Sequence, residues 1–222
     1  MLIFNSHKTI ELLTQFLPNN PIIVEAGAFN GRDTLKMLAQ WPNSTIHAFE
    51  PLPEIYQKLT EATQKYKNIH THPYALSEKN GDSIFFVSEN PKHPGIASQA
   101  GSLNKPKERL TRSPLIFPRI ATVETITLDT WATENDIDHI DLLWLDTQGH
   151  ELAILQAAPR MMSRTKVVLA EVSFIESYEN QPLYKEVVAW MNDNGFVEIG
   201  RDFADSSKSF FGNVLFVKEF RI

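Results

Sequence analysis

VEAGAFNGRDT, residues Val24 to Thr34, places an acid and a glycine-bearing turn between an apolar run, Ile22-Ile23-Val24, and a helical pattern from Arg32 to Gln40. A buried strand that turns sharply into a helix is the opening half of a β-α-β unit. Glycine at such a corner adopts backbone conformations closed to other residues and lets main chain approach a ligand, while the helix N-terminus favours electronegative groups. Gly27 and Gly31 stand four apart, which is not the G-x-G-x-x-G spacing of a pyrophosphate site. A carboxylate at Glu25 repels a diphosphate and suits a ligand carrying an ammonium or a sulfonium. Taken alone, the stretch also reads as an ordinary corner with Glu25 solvated.

Outward from this turn the same alternation continues. Thr45 to Phe49 reads as a second strand, Pro53 to Tyr66 as a helix and Ile69 to Tyr74 as a third strand, with Ser83 to Val87 extending the sheet. Val123 to Leu128 and the strongly apolar Ile140 to Asp146 follow, separated by a short helix from Asp129 to Asn135. A helix over Glu151 to Met162, a strand over Lys166 to Val172, a helix over Leu183 to Asn194 and a hairpin of Phe196 to Ile199 with Asn213 to Val217 complete the chain. The pattern predicts one α/β domain over residues 1–222, with a mainly parallel sheet and helices on both faces. Residues 88–118 break it, with five prolines and no sustained period, and read as a lid or substrate loop.

Composition narrows the function. A net charge of −6 speaks against a broad phosphate-neutralising surface, so no nucleic-acid partner is expected. The absence of cysteine excludes disulfides, thiolate metal sites and a cysteine nucleophile. The opening MLIFNSHKTIELL lacks the pattern of a secretory signal, and no run approaches the roughly 20 apolar residues of a membrane span. The expectation is a cytoplasmic protein without membrane insertion; oligomeric state is not legible in the sequence.

A second acid, Glu50 in HAFEP (His47 to Pro51), ends the second strand somewhat over 20 residues past the glycine turn. Acids at that place accept hydrogen bonds from ribose hydroxyls in nucleotide-binding sheets, although an acid beside Pro51 can also simply cap the next helix. Further on, the run Asp146-Thr147-Gln148-Gly149-His150-Glu151 follows the most apolar strand, where open α/β sheets bind ligands.

Together these pieces resemble the FkbM family of class I methyltransferases. VEAGAFNGRDT, AFEP, ALSEKNG (Ala75 to Gly81), TLDTW (Thr127 to Trp131) and LLWLDTQGHELAIL (Leu142 to Leu155) run in the family's order over almost the whole chain. The resemblance implies a Rossmann-like sandwich with a seven-stranded sheet of order 3-2-1-4-5-7-6, S-adenosylmethionine as cofactor, and O-methylation of a small molecule or saccharide. It places Glu25, Gly27, Ala28, Asn30 and Gly31 around the methionine part of the cofactor, Glu50 and Pro51 at the ribose, Ala75 and Leu76 beside the adenine, and Asp146 at the reactive end. Where family members read D-V-E-G-A-E, this chain carries Thr147, Gln148 and His150, so the family's central acid is absent.

The acceptor side is read from chemistry. Methyl transfer to a hydroxyl needs the nucleophile held in line and its proton removed. His150 is the candidate base because an imidazole titrates near working pH, with Asp146 as its catalytic neighbour; the bland reading is a solvated His on the first helical turn. Asp146 and Glu171 end adjacent strands, an arrangement able to hold Mg²⁺ or Ca²⁺, but such acids are as common in metal-free sheets and a metal is not favoured. His93, Ser98, Gln99, Ser102 and Lys105 of the loop offer polar contacts to an acceptor, and Trp144, Phe174 and Tyr178 offer aromatic ones. Two alternatives stay open: an NAD-dependent oxidoreductase, which the missing glycine spacing and Glu25 oppose, and a non-catalytic nucleoside-binding module, which the altered D-T-Q-G-H-E run favours.

Overall fold

The protein is described by a computed structural model over residues 2–206 and 209–219. Its first elements are β1 (Leu2–Ile3), α1 (Thr9–Leu13), β2 (Ile22–Ala26), α2 (Arg32–Gln40), β3 (Thr45–Phe49), α3 (Pro53–Thr63), β4 (Ile69–His72) and β5 (Ala75–Leu76). Then come β6 (Gly81–Glu89), α4 (Arg109–Arg112), β7 (Ile116–Ile126), α5 (Leu128–Glu134) and β8 (Ile140–Leu145). The chain continues through α6 (Glu151–Gln156), α7 (Pro159–Ser163), β9 (Thr165–Ser173), α8 (Tyr184–Asp193), β10 (Phe196–Arg201) and β11 (Phe211–Lys218).

The large sheet runs β1-β10-β11-β9-β8-β2-β3-β4. Strands β4, β3, β2, β8 and β9 are mutually parallel, and β11 inserts antiparallel between β9 and β10. The sheet has eight strands, not the expected seven, because Leu2 and Ile3 pair in parallel with Gly200 and Arg201 at its edge. Both faces are covered, so the strands are apolar on both sides. Val24, Ala26, Leu143, Leu145, Val168 and Ala170 pack beneath Trp131 of α5, Leu152 of α6, Met161 of α7 and Val187 of α8. Ile23, Ile46, Leu142, Val167 and Leu169 pack on the other face against Leu13 of α1 and Met37 of α2. Period two along β2 therefore sends Glu25 to the α2 side with Ile23.

Three expectations need correction. Ser83 to Val87 does not extend the main sheet: β6 pairs antiparallel with β7, and with β5 they form a separate sheet of order β5-β7-β6. Residues 88–118 are not one irregular loop. They hold the end of β6, all of α4 and the start of β7, with further bridges from Glu89 to Ala97, Phe86 to Ser102 and Pro106 to Tyr178. Pro118 sits in β7 where the register shifts between the pairs Val87–Arg119 and Glu89–Ile116, a bulge that tolerates a missing N–H. The helix expected from Glu151 to Met162 breaks after Gln156, because Pro159 cannot continue it and starts α7 instead. Among the described residues no helix is long and apolar enough to cross a membrane.

Candidate active site

The carboxyl ends of β2, β3 and β8 open onto one cleft enclosing about 1100 Å3, part of it open to solvent. At the end of β2, Glu25 is 2% exposed and accepts a 2.5 Å hydrogen bond from the Thr34 hydroxyl, in the first turn of α2. Burial pushes its carboxyl up to about 8; the Thr34 hydrogen bond opposes this, and the charges of Asp33 and Asp146 add to it. Between the ordinary value of 4.5 and about 8 the folded chain holds a proton that the unfolded chain has released. The contribution of Glu25 to stability thus falls as pH rises through that window. Glu25→Gln should accordingly gain stability relative to the parent from about pH 5 to about pH 9 in urea titrations without cofactor. A pH-independent difference would show that the carboxyl is not desolvated.

Gly27 follows at φ +87°, and a Cβ there would lie 2.0 Å from the Asp146 carbonyl oxygen. The turn is held by hydrogen bonds from Gly27 and Ala28 N–H to the Phe49 carbonyl, and by Asp146 N–H to the Ala26 carbonyl. Gly27 is thus required by the meeting of β2 and β8 as well as by access to the cleft. Gly31, at φ +82°, opens α2 behind the cleft and faces Leu59 of α3.

Glu50 directly follows β3, is 6% exposed and accepts a 2.9 Å hydrogen bond from Leu52 N–H. Burial pushes it up to about 8 against the hydrogen bonds from the Leu52 and Phe29 backbone. Pro51, Ala75 and Leu76 line the cleft near it, with Tyr74, Phe85 and Ile55.

After β8 the chain reverses through Gln148 at φ +56° and Gly149 at φ +101°. Glu151 holds this turn: its carboxylate accepts from Thr147 N–H at 2.8 Å and from Gly149 N–H at 3.0 Å. The last acid of the D-T-Q-G-H-E run is therefore a turn clamp. Asp146 faces the cleft and has accessible surface there, yet the protein packed around it desolvates the carboxylate and raises its pKa. Glu171 is raised well above the usual range, first by burial and then by the charges of Asp146 and Glu151, with Arg109 of α4 opposing.

Gln148 decides how this acid pair behaves. Its Nε2 donates to Asp146 Oδ1 at 2.8 Å and to Glu171 Oε1 at 3.0 Å, occupying the space between the two carboxylates. Tyr178, 2% exposed, anchors the arrangement from the other side, its hydroxyl lying 2.8 Å from the Ala100 carbonyl and 3.1 Å from Gln148 Oε1. Asp146 and Glu171 thus share an amide donor, and among the described residues no cluster of three or more His, Asp or Glu side chains suits a metal ion.

His150 stands at the cleft edge in a fixed setting. Asn104 donates from Nδ2 to the Gly149 carbonyl at 3.1 Å, which turns its Oδ1 toward His150 Nδ1 at 2.8 Å. Nδ1 therefore carries the ring proton, and Nε2 lies 3.1 Å from the Ser77 hydroxyl and 2.7 Å from Glu78 Oε2. Burial lowers the imidazole pKa, with Glu78 opposing. For Glu78, partial burial raises the carboxyl, but hydrogen bonds from Ser77 and its own backbone, with the charge and hydrogen bond of His150, outweigh it and leave the pKa lowered.

Of the residues singled out from the sequence, Glu25, Gly27, Ala28, Asn30, Glu50, Pro51, Ala75, Leu76, Asp146 and His150 line this cleft. Gly31 and Glu171 do not. Ser98, Gln99 and Trp144 also line it, Ser102 instead donates to the Gln148 carbonyl at 2.8 Å, and Lys105 pairs with Glu179 at 2.8 Å. Phe174 packs against Tyr184 and Phe203, away from the cleft, and His93 is not part of it. The sequence reading missed Thr34, Glu78 and Asn104. Thr34 alone carried a signal, lying nine residues past Glu25 at the first turn of the adjoining helix.

A mixed, mainly parallel sheet carrying a glycine turn and two buried strand-end acids on one cleft fits the class I methyltransferase fold, and solved structures agree. Magnesium protoporphyrin IX methyltransferase from Synechocystis PCC 6803, with bound SAM, superposes with a TM-score of 0.53 at 12% identity, covering 96% of this chain and 77% of that one. An rRNA methylase from Streptococcus thermophilus superposes with a TM-score of 0.55 at 14% identity, covering 98% of each chain. The methyltransferase FkbM domain matches residues 25–198, and the chain belongs to that family of S-adenosylmethionine-dependent methyltransferases. The 2-O-methyltransferase NoeI of Sinorhizobium fredii (strain NBRC 101917 / NGR234) is 28% identical over 163 residues, which is 73% of this chain and 67% of the relative. The oxidoreductase and non-catalytic alternatives are set aside by this membership.

Proposed function

We propose that the chain is a single-domain O-methyltransferase acting on a hydroxyl of a small molecule or saccharide, with the methyl donor in the cleft at the ends of β2, β3 and β8. The observation that carries this is the convergence of Glu25, Glu50, Asp146 and His150 on one cleft. The order of the large sheet, set apart from its Leu2–Ile3 edge, supports assignment to the class I arrangement 3-2-1-4-5-7-6. The residues fit the cofactor: buried acids offer acceptors for an ammonium and for ribose hydroxyls, and Thr147 Oγ1 is buried on the cleft wall without a partner among the described residues. When bound, the cofactor supplies an electrophilic methyl on a sulfonium.

Glu50 accepts hydrogen bonds from the ribose, Gly27, Ala28 and Asn30 border the methionine part with Glu25, and Pro51, Ala75 and Leu76 flank the base. Gly31 acts indirectly, setting the start of α2. His150 Nε2 takes the proton of the acceptor hydroxyl as its oxygen attacks, and Glu78 stabilises the resulting imidazolium. Asp146 orients the reacting centre. The Gln148 amide between Asp146 and Glu171 supports a metal-free reaction, and the acidic character of the cleft supports an acceptor other than nucleic acid.

Transfer of labelled methyl to a panel of glycosides and phenols tests this reading. The expected product is a methyl ether; N- or C-methylated product, or methylation of RNA alone, would refute it. His150→Ala is expected to lose turnover by about 10²- to 10⁴-fold with cofactor affinity retained. The rate of the parent should rise with pH to a plateau with a midpoint below the ordinary imidazole value of 6.5, because burial lowers it. Glu78→Gln should move that midpoint lower still, a displacement that a purely structural role would not produce.

A further inference from the structure

A second groove, about 930 Å3 and open to solvent, adjoins the cleft and shares Leu103 and His150 with it. We propose that this groove holds the methyl acceptor and selects a neutral or amino-bearing polyhydroxylated molecule over a phosphorylated or carboxylated one. The assignment rests on the reading that the methyl donor lies in the cleft with His150 at its reactive end.

His150 lies on the boundary between the two spaces, and Glu78, the partner of its Nε2, lines the groove. A hydroxyl entering along the groove therefore meets the base before it meets the cleft. The strap between β6 and β7 forms the groove's outer wall through Asn104 and Lys105, and it is fixed to the body by Ser102 Oγ to the Gln148 carbonyl and by Asn104 Nδ2 to the Gly149 carbonyl. The groove wall is thus tied to the Asp146–Glu151 turn by two hydrogen bonds.

The amides of Gln156 and Asn180 offer paired donors and acceptors, and Phe86 offers an aromatic surface, a combination that suits sugar hydroxyls and the apolar face of a ring. The charges select against anions. Glu78 and Glu179 line the groove, and its only Lys or Arg among the described lining residues, Lys105, is paired with Glu179 at 2.8 Å. Burial lowers the His150 imidazole pKa, and its Nε2 already faces Glu78 Oε2 at 2.7 Å. A phosphate would find carboxylates and no free cation, whereas an ammonium would find acceptors.

Saturation-transfer NMR on the full chain saturated with S-adenosylhomocysteine tests the proposal, with methyl glucoside, methyl glucosaminide and glucose 6-phosphate as probes. Transfer is expected to the first two and not to the phosphate. Gln156→Trp, at an exposed position on α6, should abolish transfer while calorimetry shows unchanged S-adenosylhomocysteine affinity. Glu179→Gln frees Lys105 and should bring transfer to glucose 6-phosphate. The proposal is overturned by transfer to the phosphate in the parent, by no transfer to either glycoside, or by glycoside transfer surviving in Gln156→Trp. Loss of S-adenosylhomocysteine binding in the parent would instead strike the cleft reading, so the two failures are separable.

Discussion

Gly27→Ala is expected to be the most damaging single-methyl addition in this protein. Two costs add at this residue. The backbone is at φ +87°, where a Cβ costs roughly 1–2 kcal/mol. The new carbon would also lie 2.0 Å from the Asp146 carbonyl oxygen, and relieving that contact means separating β2 from β8 in the middle of the sheet. Overpacking of this kind costs about 1–3 kcal/mol, so the total of about 2–5 kcal/mol consumes a large part of a typical stability of about 5–15 kcal/mol. Two controls separate the terms. Gly95→Ala meets nothing within 4 Å at φ +79° and should show the backbone cost alone. Gly31→Ala meets the Leu59 side chain at 3.0 Å, which can shift, and should fall between them. Urea midpoints in the order Gly95→Ala, Gly31→Ala, Gly27→Ala, with the last clearly lowest, are expected. Equal losses at all three would mean that the meeting of β2 and β8 is not tight.

Glu50→Ala should weaken S-adenosylhomocysteine binding by about 1.5–3 kcal/mol, roughly 10- to 150-fold, because a hydrogen bond to a charged group is lost in a dry site. The protonation state adds a signature. In the free protein burial holds the carboxyl up at about 8, so below that pH it carries a proton. Ribose hydroxyls that donate to Glu50 favour its ionised form, and binding then releases the proton. Affinity should therefore strengthen as pH rises toward about 8, and Glu50→Ala should lose that share of the dependence. Calorimetry in buffers of different ionisation enthalpy measures the released proton directly. Unchanged affinity in the variant would remove Glu50 from the ribose.

How much of this was legible follows from the range of each interaction. The strand-turn-helix at Val24 to Thr34 is local: a buried run, an acid, two glycines and a helix start fix one another within eleven residues. Glu50 and Asp146 could be placed because parallel strands end on the same edge of the sheet. The β6–β7 sheet was not legible, since it joins Gly81–Glu89 to Ile116–Ile126 across a proline-rich strap, and prolines in a strand read as loop unless the bulge that accommodates Pro118 is known. The partners of His150 were hidden for the same reason: Glu78 and Asn104 lie 72 and 46 residues away. Gln148 carried a misleading signal. As a substitution for an acid it reads as lost chemistry, whereas the folded chain uses its amide to join Asp146 and Glu171. Histidines 47, 70 and 72 gave no signal at all, although they stack across β3 and β4, with the rings of His47 and His72 edge-on to Trp131.

The roles of Glu50, Asp146 and His150 depend on where the methyl donor lies. A crystal structure of the complex with S-adenosylhomocysteine tests this most directly. The ribose hydroxyls should lie within hydrogen-bond distance of the Glu50 carboxylate, the base between Pro51 and the Ala75–Leu76 strand, and the sulfur on the Asp146 and His150 side of the cleft. A ribose away from Glu50, or a cofactor bound outside the cleft at the ends of β2, β3 and β8, would contradict it.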